Sequence, residues 1–103
     1  MEEIRLDGAE MTDRAAVHAY LKIKLDLPDY YGNNLDALWD CLSTDFFPKR
    51  IIISNADAMV DNLGGYGEAI INVFREAYEE NEHIYLIIEG HELKHLEEFM
   101  EED

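Results

Sequence analysis

The chain has 103 residues but one cysteine, two prolines, one tryptophan and eight basic residues. A single cysteine, Cys41, rules out an intramolecular disulfide, so packing and hydrogen bonds must hold the fold. Two prolines, Pro28 and Pro48, leave most of the chain free to form helices and strands. No apolar run approaches the ~18 residues that a membrane helix needs. The N-terminal MEEIRLDG is acidic and lacks the apolar stretch of a secretory signal, so the cytoplasm is the expected address. The shortage of Lys and Arg is the most telling: 24 acidic residues face 8 basic ones, for a formal charge of −16. Such a field repels nucleic acid and anionic membranes. It favours a basic partner, with an encounter rate that salt slows. The apolar share of 48% is ordinary, and nothing reads as a repeat, a low-complexity tract or a linker. One domain with a modest core is expected.

What is there is well patterned. Residues 3–6 alternate charged and apolar side chains up to Asp7-Gly8 and read as a short strand. Thr12 can cap a helix over 13–25, with Ala16, Val17, Tyr20, Leu21 and Ile23 along its apolar side. Lys22 and Lys24 fall where the helix dipole favours cations. Ile51-Ile52-Ile53 reads as a strand, and a continuous β-branched run implies cover on both faces. Ser54 or Asn55 can cap a short helix over 56–63. Gly64-Gly65 ends it, and Gly67 keeps the junction loose. A longer helix over 68–80 turns Ala69, Ile70, Val73, Phe74 and Ala77 inward. Residues 84–88, IYLII, are the best candidate for a buried central strand. Residues 91–101 place Leu93, Leu96, Phe99 and Met100 at helical spacing.

The organising stretch is 27–45, LPDYYGNNLDALWDCLSTD. Pro28 pushes Leu27 toward an extended conformation, Gly32 permits a tight turn, and Asn33 or Asn34 can cap a helix. Leu35, Leu38 and Leu42 then form one apolar stripe, with Ala37 and Cys41 beside it, where Cys41 reads as a buried thiol. Asp36, Asp40 and Ser43 share a second face, and Trp39 lies between the two. Carboxylates at i and i+4 repel each other by roughly 0.2–0.5 kcal/mol, and Asp40 and Asp45 lie near the helix C-terminus, where the dipole disfavours anions. No Lys or Arg occurs between Lys24 and Lys49. This face is either a solvated acidic surface or an anionic patch with aromatic anchors for a cationic partner.

The element order is therefore β-α-α-β-α-α-β-α. Helices between successive strands require right-handed crossovers and parallel pairing. The expected fold is α/β, a three-stranded parallel sheet packed by helices. Residues 1–90 form the domain, and 91–103 add a C-terminal helix packed on it.

YYGNNLDALWDCL resembles the signature segment of the barstar family, inhibitors of barnase-like secreted ribonucleases. Val73-Phe74-Arg75-Glu76-Ala77 is similar to that family's late helix, and the likeness extends over about residues 1–89. The resemblance implies the same fold and an inhibitor acting by mimicry, with no cofactor and no catalytic residues. Asp40 corresponds to the acid that occupies a substrate phosphate position among cationic side chains of the ribonuclease. Asp36 corresponds to a neighbouring acid at the basic rim. Tyr30 and Trp39 match aromatic contacts, with Tyr31 adjoining. Gly32, Asn34 and Leu35 match the loop and helix start that approach the enzyme. Ser43 stands where the best-known member has threonine. Glu76 matches an acid from the later helix, and Glu80 sits one turn beyond it. Thr44-Asp45 replaces a glycine–tryptophan pair, which removes an aromatic contact and adds a charge. The implied partner is a basic secreted ribonuclease or related toxin nuclease, bound one to one by a monomer. A binding module for another basic protein is the alternative.

Two other readings are weaker. His91-Glu92-Leu93-Lys94-His95 fits the zinc-protease pattern H-E-x-x-H, but no distant third ligand or cleft accompanies it, and no metal is expected. Asp36 and Asp40 as paired acid–base groups would need a pocket that a helix surface does not supply. Gly64-Gly65-Tyr66-Gly67 lacks the lysine and spacing of a phosphate loop. His18 and His83 have no partner pattern and read as surface or packing residues.

Overall fold

The computed structural model describes residues 1–90. The helix expected over 91–101, and the H-E-x-x-H pattern within it, lie outside them. Strand β1 spans Glu2–Asp7, followed by a 3-10 turn at Gly8–Glu10 and helix α1 at Arg14–Lys24. Helix α2 is Leu35–Ser43, strand β2 Lys49–Ser54, helix α3 Ala56–Leu63, helix α4 Gly65–Glu80 and strand β3 Ile84–Ile88. The three strands form one parallel sheet in the order β1-β2-β3, with Ile4, Ile51 and Leu86 in register. Among the described residues, no helix is long and apolar enough to cross a membrane.

One sheet face presents Ile4, Leu6, Ile51, Ile53 and Ile84 to a single cluster with Val17, Leu21, Leu38, Leu42, Met59, Ile70, Ile71 and Phe74. Each helix contributes inward residues about one turn apart, which is why the amphipathic pattern reads so clearly. One expectation is corrected here. The central strand is β2, not β3. Both are continuous apolar runs, but β3 pairs on one edge only and leaves Tyr85 57% and Ile87 45% exposed. The β-branched run of β2 is buried on both faces as expected, with Ile51, Ile52 and Ile53 all buried. Ile52 points away from the helical cluster and stands in a cross-strand row between Arg5 and Ile87.

Local chemistry sets the element boundaries. Asp13, not Thr12, caps α1, its carboxylate accepting from the Ala16 N–H at 2.8 Å. Asn55 occupies the start of α3 with φ +53°, but its amide donates to Asp7 at 2.9 Å instead of capping the helix. Gly64, at φ +60°, turns α3 into α4, which starts at Gly65, three residues before expected. Gly67 does not loosen this junction. A Cβ there would lie 3.0 Å from the Met59 carbonyl oxygen and the Val60 Cα, so glycine allows α3 and α4 to pack closely.

Candidate binding surface

The loop before α2 is pinned from beneath. The Tyr31 N–H donates to the Pro28 carbonyl at 2.9 Å. Tyr31 itself is buried, with its hydroxyl 2.6 Å from His18 Nδ1. The other His18 nitrogen, Nε2, lies 2.5 Å from the Tyr66 hydroxyl on α4. A neutral imidazole has one donor and one acceptor, so it accepts from one phenol and donates to the other. Burial holds His18 below its ordinary pKa, which keeps it in this neutral form. Burial, and then the neighbouring Tyr66 and Cys41, push the Tyr31 phenol well above its ordinary value. The expected aromatic pair is thereby divided. Tyr30 is 86% exposed, while Tyr31 fixes the loop to α1 and α4 from inside.

The turn delivers the chain to α2. Asn33 adopts φ +56°, and Asn34 caps the helix through Ala37 N–H at 2.8 Å. The same Asn34 side chain donates to the Gly32 carbonyl at 3.1 Å. Leu38 and Leu42 are buried, which turns Asp36 and Asp40 outward and leaves Trp39 half-buried between the two faces. Helix α4 lies against α2 and supplies Val73 and Glu76. Leu35, Asp36, Ala37, Trp39, Asp40, Val73 and Glu76 line one groove of about 570 Å³. Three of its seven lining residues are acids and none is basic. The ion pairs Arg5–Glu3, Arg50–Glu3 and Lys49–Asp45 are found among the described residues, and none of these three uses a groove carboxylate.

The C-terminal corner of α2 is built differently. The Thr44 hydroxyl donates to the Asp40 carbonyl at 2.7 Å, and the Ser43 hydroxyl does so at 3.4 Å. These hydroxyls satisfy helix-end acceptors. Asp45 is not an unpaired acid: it forms an ion pair with Lys49, whose side chain is only 6% exposed. Its other carboxylate oxygen accepts from the Phe47 N–H at 2.9 Å. The buried Asn81 amide donates to the Leu42 and Asp45 carbonyls, both at 2.8 Å, and its oxygen accepts from the His83 N–H. Asn81 therefore ties the corner to the junction of α4 and β3. Glu80 lines a second depression with Ser43, Asp45, Phe46, Glu79 and Glu82, apart from the groove.

The sequence reading missed Asn81, Phe46 and Phe47; His18, read as a surface or packing residue, is a packing residue whose partners Tyr31 and Tyr66 the sequence did not reveal. Phe46 and Phe47 are 78% and 77% exposed, immediately beyond the corner. Two adjacent aromatics before a proline in a short loop were the available signal. Cys41 is half-buried. Burial, and then the charges of Asp40 and Asp45, raise its thiol pKa, which makes it a poor nucleophile.

A family model described as barstar (barnase inhibitor) matches residues 1–89. A protein of Bacillus subtilis (strain 168) named "Putative ribonuclease inhibitor YrdF" is 41% identical over 90 residues, covering 85% of this chain and 98% of that protein.

Proposed function

Since the chain belongs to the barstar family, we propose that it is a stoichiometric inhibitor of a basic, barnase-like secreted ribonuclease. The observation that carries this reading is the groove between α2 and α4, where Asp36, Asp40 and Glu76 converge without a cation among the lining residues. Carboxylates offer a guanidinium two acceptor oxygens, as a phosphate does, so a helix bearing them can stand in for the RNA backbone. Asp40 enters the active site, with Asp36 and Glu76 meeting the basic rim. Tyr30 and Trp39 supply rigid aromatic contact beside the backbone of Gly32, Asn34 and Leu35. Nothing in this mechanism turns over a substrate. The chain works by occupying the site, one to one and as a monomer when free. It acts in the cytoplasm, where it protects the producing cell from the nuclease before secretion.

The corner favours a variation on this theme. Ser43 and Thr44 spend their hydroxyls on the helix end, and Asp45 is held by Lys49. The rim contact of the family therefore passes to Phe46 and Phe47, which fits a partner with an apolar rim, such as a related toxin nuclease.

The test is a binding assay against a barnase-like ribonuclease with Asp40→Ala and Asp26→Ala. Asp40→Ala leaves enzyme cations buried without a partner and should weaken binding by at least about a hundredfold. Asp26→Ala removes only bulk charge and should change it by about threefold or less. Magnitudes for such pairs come in part from the barnase–barstar complex itself. Equal losses would remove Asp40 from its role.

A further inference from the structure

The groove shares a border with a second depression. Leu35 and Asp36 line both, and on the far side α1 supplies Arg14, His18 and Lys22, spaced one turn apart along a single stripe. The depression holds about 820 Å³. Its charge balance is the reverse of the chain's. Two of the eight basic residues meet here with one acid, Asp36, in a chain that carries 24 acids. The ion pairs Arg5–Glu3, Arg50–Glu3 and Lys49–Asp45 use neither Arg14 nor Lys22.

Arg14 is held ready. Its guanidinium carbon lies 4.2 Å from the centre of the Tyr66 ring, and His18 Nε2 fixes the Tyr66 hydroxyl. A guanidinium stacked on an aromatic ring suits a planar acceptor such as a carboxylate. A side chain that is already ordered also loses less entropy on binding. Lys22, about two turns further along the stripe, is half-buried.

A partner seated on the groove reaches this depression. Seven residues line the groove, but a standard interface takes roughly 20–30 residues from each side. Its footprint therefore extends past Asp36 onto α1. A basic side chain arriving there meets repulsion from Arg14 and Lys22. RNA is a poor occupant, because a formal charge of −16 repels a polyanion. A single carboxylate on an otherwise basic protein surface satisfies both conditions.

We propose that the depression receives an acidic side chain of the nuclease, an Asp or Glu standing beside the cations that meet Asp36 and Asp40. This rests on the inhibitor reading and adds a charge register to it: the partner presents cations to the groove and one carboxylate to α1. A nuclease with Lys or Arg in place of that acid is repelled, so the contact selects which enzyme is inhibited.

The test compares inhibition of a barnase-like ribonuclease by the unaltered chain, Lys22→Glu, Arg14→Glu and Lys24→Glu. All three variants change the net charge equally. Lys24 lies on α1 but does not line the depression, so Lys24→Glu should leave affinity within about threefold. Lys22→Glu and Arg14→Glu should each weaken it by about tenfold or more. Lys22→Glu leaves the stack of Arg14 on Tyr66 in place, and a Tm equal to that of Lys24→Glu separates lost contact from lost folding. If the unaltered chain inhibits and Lys22→Glu binds as well as Lys24→Glu, the proposal is overturned and the inhibitor reading stands. No inhibition by the unaltered chain would overturn both.

Discussion

The two ends of the α2 surface treat the same kind of side chain in opposite ways. In the groove, Asp36 and Asp40 are exposed and share the lining with Glu76 and no basic side chain, while Asp36 also borders a neighbouring depression lined by Arg14 and Lys22. At the corner, Asp45 is bound to a buried Lys49, and the surrounding carbonyls are tied down by Asn81. The corner pairs its charge and contributes to folding. The groove carboxylates join none of the ion pairs found among the described residues, and their mutual repulsion opposes folding slightly. The contrast separates acid paired within the fold from acid turned to the surface, the acid that the proposed inhibitor reading uses, a distinction that net charge alone does not make.

The comparison predicts opposite signs for substitutions at its two ends. The largest effect on stability falls at Asn81. Asn81→Leu keeps the volume but leaves the Leu42 and Asp45 carbonyls without their donor, which should cost about 3 kcal/mol in urea unfolding. A loss below about 1 kcal/mol would mean that the corner is not held by this amide. Asp45→Ala strands the buried Lys49 ammonium and should cost about 2 kcal/mol, while changing ribonuclease affinity by less than about fivefold. A large affinity loss with unchanged stability would erase the distinction between corner and groove.

His18 gives a third test through pH. Burial depresses its folded pKa below the unfolded value near 6.5. Between the two values the unfolded chain holds a proton that the folded chain does not, so stability rises with pH in that window. The full contribution is present above about pH 6.5 and is lost as pH falls, by up to ~1.4 kcal/mol per unit. His18→Gln should flatten this slope between pH 7 and pH 5.5 relative to the unaltered chain. An unchanged slope would assign the acid sensitivity to other groups. The smallest effect is the most pointed. Asp40→Asn relieves repulsion from Asp36 and an unfavourable helix-end dipole, so it should raise stability by about 0.5 kcal/mol. The same change should weaken nuclease binding. A loss of stability would mean that Asp40 has a structural partner.

Much of the fold was legible because amphipathic periodicity and parallel crossovers are local consequences of residue order. All three strands and the four helices of the described residues were readable in this way. The centre of the sheet was not: Ile51–Ile53 and Ile84–Ile88 have the same apolar signature, and only their pairing distinguishes them. In the site, Asp36, Asp40 and Trp39 follow from the helical spacing of one segment, whereas Glu76 came only with the family resemblance. Tyr31 and Tyr30 are adjacent and chemically identical, and they part because His18, thirteen residues before Tyr31, offers a buried partner. Asn81 and Lys49 owe their roles to contacts across the fold, which spacing does not encode.

The central claim is that the unpaired groove blocks a nuclease. The most direct measurement is a titration of RNA cleavage by a barnase-like ribonuclease held well above the dissociation constant of the complex. The account predicts a linear loss of activity that ends at one equivalent of this chain, with no cleavage or turnover by the chain alone. Full nuclease activity in the presence of micromolar protein would contradict it.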